Sequence, residues 1–394
     1  EKVTKATPLP QTKRVDPRPY NIVFILIDTL RPDRLGAYGY KRATSPNIDA
    51  WAKETLIFEG ALSQAPNTPR SFPSILTGRY PSRIAWVKRN ANYGKLRPEN
   101  ETLFELYANA GWRTEAVSNH WYFERAKGIK DGVHLWDNKG FLTIRESNRQ
   151  SSAPQITAKM LKRLDVLTEQ RKRFVLFAHY FDPHGSYVSH KKTKSFGKGL
   201  SNKYDGEIAF VDHHIGPVLE RLSKADLDKN TIVILTSDHG EAFKEHGFYF
   251  HGRTVYNEET SVPMFIKIPG VAPQRVKTRA ALIDILPTLA ELTGIPAPLA
   301  QGESLVGLWT GKGPKPKAPV FSEQIPYPNY KKHIVSAVQR DGDFKVIRNI
   351  TDNVTEVFNI SSDPKESKNL LDQDPDSARQ LRDKLERFID GDPG

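Results

Sequence analysis

Three short apolar runs, each followed by polar residues, constrain the fold of this chain most strongly. They are "NIVFILID", "RFVLFAHYFDPH" and "TIVILTSDHGE". The polar residues at their ends are carboxylates and imidazoles, namely Asp28, His179, Asp182, His184, Asp238 and His239. Unbroken β-branched and aliphatic runs are typical of strands buried on both faces, as in a parallel sheet. Because ligands bind beyond the carboxyl ends of such strands, we expect these side chains to share one site.

Amphipathic stretches between the runs predict helices. "NETLFELYANAGW" places Leu103, Leu106 and Tyr107 on one face, with Gly111 as the stop signal. "KYDGEIAFVDHHIGPVLERL" and "ALIDILPTLAELTG" show the same helical period, and the second ends at Gly294. Strands that alternate with helices predict an α/β fold, here an α/β/α sandwich.

The pattern changes after about residue 318, which predicts a second unit. "HIVSAVQ", "DFKVIRN" and "TEVFNI" are short strand candidates, and the first two are joined by Asp341-Gly342, a sequence that favours a hairpin turn. The final stretch places Leu381, Leu385 and Phe388 on one face of a helix. We therefore expect a small C-terminal antiparallel subdomain that packs on the main domain.

The opening segment "EKVTKATPLPQTKRVDPRP" is polar, rich in proline and aperiodic, which is typical of a tether. We expect a tether at 1–18, a main domain at 19–318 and the antiparallel subdomain at 319–394. Since the chain begins with Glu, we expect a tether that follows a removed membrane anchor, and hence an extracytoplasmic, periplasmic or secreted, protein. An artificial tail is the alternative.

The net charge of +12 favours anionic partners such as phosphate esters, sulfate esters and lipid headgroups. The charge is spread along the chain, without an Arg-rich arm, a zinc finger or an RNA-binding aromatic motif, so we expect no nucleic-acid partner. The absence of cysteine excludes disulfides and thiolate metal sites.

Asp28, Asp238 and His239 are oxygen and nitrogen ligands at predicted strand ends. Such a set suits a divalent ion such as Mn, Zn, Ca or Mg. The structural alternative for each Asp is a turn former or a helix cap. A metal ion also lowers the pKa of a nearby hydroxyl, and the loop "APNTPRSFPSILTGRYPSR" offers several hydroxyls as candidate nucleophiles.

Several blocks of the sequence occur in an order that resembles a known family. They are "NIVFILIDTLRPDRLGAYGY…SPNIDAWAKE", "LTGRYPS", "YDGEIAFVDHHIG", "TSDHGE…EHG…HG", "VPMFIKIPG", "LIDILPTLAELTGIP" and "VFNISSDPKESKNL". Together they resemble the sulfatase branch of the alkaline phosphatase superfamily over about residues 19–371. The resemblance implies the α/β/α sandwich of that superfamily and a metal-dependent hydrolase or transferase.

The resemblance places the nucleophile at Thr68. Sulfatases carry Cys-x-Pro-x-Arg, with the cysteine ten residues before the Gly of "LTG", and oxidise it to formylglycine. Counting back from Gly78 gives Thr68, which cannot form that aldehyde. The family's Arg corresponds to Phe72, although Arg70 is a candidate substitute. A register that starts at Ser71 stands only seven residues from Gly78, and we reject it.

An unmodified threonine is similar to the phosphoethanolamine and phosphoglycerol transferases and phosphodiesterases of this superfamily. The resemblance therefore implies cleavage of a phosphodiester, with phospholipid headgroups among the candidates, through a phospho-threonine intermediate that passes to water or an acceptor. The first alternative is a sulfatase, which hydrolyses a sulfate ester on the same fold. The second is a non-catalytic module that binds metal.

By the same resemblance, Asp28, Thr68, Asp238 and His239 hold one divalent ion. Thr29 stands where sulfatases carry a second Asp, which favours Mn or Zn over Ca or Mg. The resemblance also assigns further side chains to the substrate, among them His184 as a substrate contact, His246 and His251 as oxygen donors or leaving-group acids, and Arg253 in place of an active-site Lys. His179 and Asn119-His120 stay open between a structural and a functional role. The basic segment at 189–203 is either a solvated loop or a lip for anionic lipid headgroups.

Overall fold

The computed structural model describes residues 20–140, 152–190, 193–373 and 375–391. The predicted tether at 1–18 and part of the basic segment at 189–203 lie outside these residues. The strands are β1 (Asn21–Ile27), β2 (Leu56–Leu62), β3 (Arg113–Val117), β4 (Leu135–Asp137), β5 (Phe174–Tyr180), β6 (Thr231–Thr236), β7 (Ala242–Phe243), β8 (Tyr249–Phe250), β9 (Ser261–Lys267), β10 (Gln274–Val276), β11 (Ala280–Ala281), β12 (Val320–Gln324), β13 (Ile334–Val338), β14 (Phe344–Asn349) and β15 (Val354–Asn359). The helices are α1 (Pro46–Ala52), α2 (Thr68–Thr77), α3 (Leu103–Asn109), α4 (Tyr122–Arg125), α5 (Ala153–Glu169), α6 (Leu200–Leu222), α7 (Ala225–Asp228), α8 (Asn257–Thr260), α9 (Ile285–Thr293), α10 (Val306–Thr310) and α11 (Asp376–Asp390).

The large sheet has the strand order β10-β2-β9-β6-β1-β5-β3-β4, and β11 also pairs with β2. The three apolar runs form β6, β1 and β5, which are parallel neighbours at its centre and are buried along their whole length. Strand β9 is antiparallel to both β6 and β2, so the sheet is mixed rather than purely parallel. The predicted α/β class is confirmed, and the carboxyl ends of the three runs lie at one edge.

Helices cover both faces of this sheet. Successive residues of a strand point to opposite faces, so a fully apolar strand such as β1 has side chains to bury on each face. In β1, Phe24 packs into a core with residues of α2, α3 and α9, whereas Ile25 packs into a core with residues of α1, α5 and α6. The predicted helices are present as α3, α6 and α9. A reciprocal pair of hydrogen bonds between Thr102 and Glu105 begins α3, and Gly294, with a φ of 73°, ends α9.

Strands β12 to β15 form the expected antiparallel sheet near the C-terminus. The hairpin between β13 and β14 contains the predicted turn, and α11 buries Leu381, Leu385 and Phe388 against this sheet. The same core takes in Leu62 and Ile283 of the main sheet region, so the two sheets share a packed boundary. The division of the chain at residue 318 stays a prediction. Among the described helices, none combines the length and apolarity needed to cross a bilayer.

A buried ion pair joins the two sheets. The Arg340 guanidinium donates to both carboxylate oxygens of Asp284, at 2.7 and 3.1 Å, and the two side chains are 3% and 0% exposed. The carboxylate also accepts hydrogen bonds from the backbone N–H groups of Ala281 and Glu303. Because every oxygen is satisfied, the pair is a fixed joint rather than a labile surface contact.

Removing one member of this pair should destabilise the fold. Arg340→Met leaves the Asp284 carboxylate buried without its cation, and we expect the free energy of unfolding to fall by about 3–5 kcal/mol in a urea titration. The double variant Asp284→Asn/Arg340→Met leaves no unpaired charge and should be more stable than the single variant. Arg379→Met, which removes an exposed pair with Asp376, is the control and should change stability by less than about 0.5 kcal/mol. Equal effects at 340 and 379 would contradict this role of the buried pair.

Candidate metal centre and active site

Asp28, Asp238 and His239 meet at the carboxyl ends of the adjacent strands β1 and β6. One ligand atom from each lies within 4.8 Å of the others, and all three residues are buried. The His239 Nε2 is 3.6 Å from an Asp28 carboxylate oxygen and 3.4 Å from an Asp238 oxygen. The structure thus brings together three of the residues that were predicted as ligands.

Thr68, the fourth predicted ligand, stands beside this group. It is the first residue of α2, and its Oγ1 is 3.2 Å from the His239 Nε2. Ser71 lies one turn later on the same face, with its Oγ 3.5 Å from an Asp238 oxygen. The helix therefore presents two hydroxyls to the group, and the Thr68 hydroxyl is the one next to the imidazole.

Hydrogen bonds orient the His239 ring. Its Nδ1 is 2.9 Å from the Gly240 carbonyl oxygen, which can only accept, so Nδ1 carries the proton and Nε2 presents a lone pair. Ser237 donates from its hydroxyl to the His239 carbonyl, and Ser63 donates to the Asp238 carbonyl. The backbone of both residues is thereby fixed with the ligand atoms turned inward.

The group has the chemistry of a divalent-metal site. One carboxylate oxygen each of Asp28 and Asp238 is buried without a hydrogen-bond partner, an arrangement that is rare unless a ligand completes it. Burial, and next the neighbouring Asp238 charge, raise the pKa of Asp28 well above its ordinary value. Two carboxylates, an imidazole and a hydroxyl are ligands that Mn, Zn, Ca and Mg take in proteins. The residues therefore fit the predicted ion.

His179 is a further member of this group, which the sequence left open. Its Nε2 is 3.4 Å from the second oxygen of Asp28, and both ring nitrogens are buried without a hydrogen-bond partner. Burial lowers the pKa of His179 to about 4, so the ring is neutral at physiological pH. Its place on β5, next to β1, explains the contact, which sequence spacing alone does not reveal.

Thr29 bends the chain directly after Asp28. Its φ of 56° is unusual for a β-branched residue. Tyr204 stabilises this turn because its hydroxyl donates to the Thr29 carbonyl at 2.6 Å and accepts from the Arg31 N–H at 2.9 Å. The Thr29 hydroxyl oxygen is buried without a hydrogen-bond partner, and the residue serves the site through its backbone.

Two of the predicted histidines form a layer over the metal group. The His251 ring lies 4.3 Å from the His239 ring, and the His184 ring lies 4.8 Å from that of His251. The His251 Nδ1 is 2.8 Å from a Glu241 oxygen, whose other oxygen accepts from the Tyr187 hydroxyl. Burial lowers the pKa of His251 to about 4 and that of His184 to about 3. Sequence reasoning missed Glu241, although it stands directly after the Asp238-His239-Gly motif.

His120 belongs to an aromatic stack beside this layer. Its ring stacks on Phe181 at 4.0 Å, and Phe181 stacks on His184 at 4.6 Å. Asn119 instead points toward α5, where its side chain contacts Gln155 and Lys159. Of the pair that sequence left open, only the histidine lies next to the candidate site.

His246 does not join the site in the structure. Its Nδ1 is 2.7 Å from a Glu258 carboxylate oxygen, its Nε2 is 3.1 Å from the Glu366 carbonyl oxygen, and its ring stacks on Tyr256 at 3.6 Å. Both ring nitrogens are thus engaged with groups that tie its loop to the C-terminal sheet. In this arrangement His246 makes a structural contact, and its role as an oxygen donor or leaving-group acid stays a prediction.

Neither Arg70 nor Arg253 contacts the metal group. Arg70 donates to backbone carbonyls of the loop at 89–91, and the Arg253 guanidinium lies over the Phe248 ring at 5.7 Å. Phe72, at the position of the family's Arg, is fully buried and packs on Phe123 and Phe177. An apolar core contact therefore occupies this position.

A cavity of about 380 Å³ opens beside Thr68 and His251. Its lining residues come from the start of α2, the loop after it, the end of α4, the loop after β8 and a loop near β12; they are Asn67, Pro69, Arg70, Asn92, Tyr93, Arg125, His251, Gly252, Tyr327 and Asn329. The cavity lies next to the predicted nucleophile, because the residues on either side of Thr68 line it.

Comparisons with known proteins agree with this geometry. The sulfatase family model matches residues 20–295, and a second model, N-sulphoglucosamine sulphohydrolase C-terminal, matches residues 244–390. The chain belongs to the sulfatase family. This confirms three predictions: the alkaline phosphatase superfamily, the α/β fold with its C-terminal antiparallel sheet, and a sulfatase-family hydrolase.

Individual relatives extend over most of this sulfatase-family chain. It is similar to human arylsulfatase A, with 27% identity over 387 residues that cover 83% of this chain and 74% of the relative. A solved 2-O GAG sulfatase matches with a TM-score of 0.77 at 20% identity and covers 94% of this chain and 92% of that one. The phosphonate monoester hydrolase of Agrobacterium radiobacter matches with a TM-score of 0.71 at 18% identity and covers 94% and 95%. At these identities the two structures show the fold alone.

The metal site can be tested by metal content. We expect one divalent ion per chain by elemental analysis after reconstitution, and its loss in Asp238→Asn, because a neutral amide removes one of the two anionic ligands. Asp212→Asn is the matched control. Asp212 is also a buried carboxylate, but it accepts hydrogen bonds from backbone N–H groups at the start of α1 and is not one of the candidate ligands. Equal metal content in both variants would contradict the assignment of Asp238.

The contact of His246 makes a pH-dependent contribution to stability. Burial acts to lower the pKa of His246, but the hydrogen bond and charge of Glu258 outweigh it and raise the pKa to about 9. Protonated His246 therefore stabilises the folded state fully below its unfolded pKa of about 6.5, and this contribution is lost as pH rises toward 9. We expect His246→Gln to lower the free energy of unfolding by about 1–2 kcal/mol at pH 6 and by little at pH 9.5.

Denaturant titrations of both proteins at several pH values measure this difference. Glu258→Gln should give the same pH profile, because it removes the anion of the same pair. His213→Gln, on the exposed side of α6, should show no such profile. A difference between wild type and His246→Gln that is constant from pH 6 to pH 9.5 would contradict the ionic role.

Proposed function

We propose that this sulfatase-family chain hydrolyses a sulfate ester with the help of one divalent ion, with Thr68 as the nucleophile. The observation that carries the proposal is the buried group of Asp28, Asp238 and His239 with the Thr68 hydroxyl 3.2 Å from His239 Nε2. The family match and the names of relatives such as arylsulfatase A support a sulfate ester over the phosphodiester that Thr68 alone favoured. The anionic substrate agrees with the net charge of +12.

The bound ion, held by Asp28, Asp238, His239 and Thr68, would stabilise negative charge on the ester and lower the pKa of the adjacent hydroxyl. Thr68 Oγ1 attacks the sulfur, the bond from sulfur to the alcohol oxygen breaks, and the alcohol leaves with the proton that the Thr68 hydroxyl gives up. Water then attacks the sulfur of the sulfo-threonine, the bond from sulfur to Oγ1 breaks, one proton of the water returns to Oγ1, and the sulfate leaves as hydrogen sulfate. This division into two steps requires that the alcohol leaves before water enters.

The histidine layer is placed to handle the proton of the leaving alcohol. His251 is held by Glu241 through its Nδ1, so its Nε2 is the nitrogen that can exchange a proton. His251 is neutral before substrate binds, because its pKa is about 4. An anionic ester beside it favours the protonated form, and His184, 4.8 Å away, adds a second imidazole at the same position. We assign both residues to the substrate on this basis.

A phosphodiester is the second candidate, and Thr68 itself favours it. Threonine cannot become the formylglycine of sulfatases, whereas an unmodified hydroxyl can accept a phosphoryl group and release it to water or to an acceptor. The likeness in fold to a phosphonate monoester hydrolase supports this candidate. The substrate comparison below distinguishes the two.

The test compares 4-nitrophenyl sulfate with bis(4-nitrophenyl) phosphate for the metal-loaded protein. We expect turnover of the sulfate, a loss of kcat of about a thousandfold or more in Thr68→Ala, and substantial activity in Thr68→Ser, which keeps the hydroxyl. Thr77→Ala, at the end of the same helix, is the matched control, because that hydroxyl only contacts the Pro73 carbonyl.

Each other result has a definite meaning. Turnover of the diester alone, lost in Thr68→Ala, supports the second candidate and rejects the first. Sulfate turnover that survives Thr68→Ala rejects Thr68 as nucleophile. A metal-loaded protein that turns over neither compound, nor their alkyl analogues, would instead favour a module that binds metal without catalysis.

A further inference from the structure

The cavity beside Thr68 is built for an anion-bearing, polyhydroxylated group. Two arginines, one histidine, two tyrosines and three asparagines line it, and none of the described lining residues is Asp or Glu. Its wall includes His251, whose ring lies 4.3 Å from that of His239, so the cavity borders the candidate metal group. A lining of this kind attracts negative charge and offers several hydrogen-bonding groups to hydroxyls.

Arg70 supplies a buried positive charge to this cavity. The side chain is 2% exposed, and its guanidinium donates to the backbone carbonyls of Pro69, Arg89 and Ala91. Its Nε has no hydrogen-bond partner, and within the described part of the chain no carboxylate forms an ion pair with it. The guanidinium carbon also lies 5.1 Å from the centre of the Trp86 ring. A buried guanidinium that is accompanied by carbonyls and one aromatic ring, without a counter-charge, is costly, and an anionic ligand would offset that cost.

Arg125 supplies a second positive charge, at the rim. It is exposed, and its guanidinium carbon lies 5.2 Å from the centre of the Tyr93 ring and 4.9 Å from that of Trp121. The two aromatic faces restrict the side chain, so less conformational entropy is lost when it binds an anion. Tyr93 lines the same cavity, which places an aromatic surface next to the cation.

We propose that Arg70 and Arg125 form a second anion site, which recognises a carboxylate or a second sulfate on the alcohol portion of the substrate. The proposal rests on the proposed function and narrows it: the substrate is an ester with two separate anionic groups, such as an acidic sulfated saccharide. The asparagines and tyrosines of the cavity then contact its hydroxyl groups. Arg125 acts as a specificity-determining residue that does not take part in the chemical step.

The test compares 4-nitrophenyl sulfate with 3-carboxy-4-nitrophenyl sulfate, which differ by one carboxylate. For each protein we take the ratio of kcat/KM for the carboxylated ester to kcat/KM for 4-nitrophenyl sulfate. We expect this ratio to be about tenfold higher in the wild type than in Arg125→Gln. Because the ratio is compared between variants, the different reactivity of the two leaving groups cancels. Lys127→Gln is the control, since Lys127 is an exposed cation two residues away that does not line the cavity.

Arg125→Gln should leave kcat/KM for 4-nitrophenyl sulfate within about twofold, because that ester has no second anion. Arg70→Lys, checked for an unchanged melting temperature, should weaken the same preference. An unchanged ratio in Arg125→Gln, or the same change in Lys127→Gln, overturns the second anion site and leaves the proposed function intact.

If neither ester is turned over, calorimetry of the two phenolic products tests the second anion site independently of catalysis. The probes are 5-hydroxy-2-nitrobenzoate, which carries the carboxylate, and 4-nitrophenol, which does not. Tighter binding of the carboxylated phenol that is lost in Arg125→Gln supports the anion site while the sulfate-ester function fails. Equal binding of both phenols, or equal binding by wild type and variant, overturns it.

Discussion

The proximity of two buried carboxylates is the constraint on which the rest of the structure depends. Asp28 and Asp238 end adjacent parallel strands, and their ligand atoms lie within 4.8 Å of each other and of His239. Two like charges at that distance repel by about 3–4 kcal/mol at an effective dielectric constant of about 20. A bound cation would offset this repulsion, so the register of β1 against β6 also creates a place that suits a divalent ion. The helix that carries Thr68 then docks against a charged centre rather than an apolar one.

The centre of the fold could be predicted from the sequence because its signals are local. Each apolar run of β1, β5 and β6 is buried on both faces, so it lacks the alternation of a half-exposed strand and places its ligands at a strand end. Contacts that join distant segments had no such signal. His179 reaches Asp28 only because β5 pairs with β1, and the reversed strand β9 could not be told from a parallel one by composition.

The departures from the family motif after Thr68 have a packing explanation. Phe72 stands on the buried face of α2 and packs on Phe123 and Phe177, so the position that carries Arg in sulfatases is part of the apolar core. Arg70 lies half a turn away on the helix and points toward the loop at 89–91, where its charge faces the cavity. Sequence counting found both residues but could not show that the positive charge lies at the cavity while the position of the family's Arg lies in the core.

The two histidines of the segment at 241–259 lie in different surroundings. Glu241 and His251 face the site, while His246 binds Glu258 and the Glu366 carbonyl at the opposite side. Glu366 in turn forms a fully buried ion pair with Lys345 of β14 at 2.7 Å. The C-terminal sheet thus anchors the loop that carries His251, and this anchoring explains why two histidines five residues apart occupy such different surroundings. The position of the His251 imidazole therefore depends on packing between the two sheets as well as on the residues of the candidate metal site.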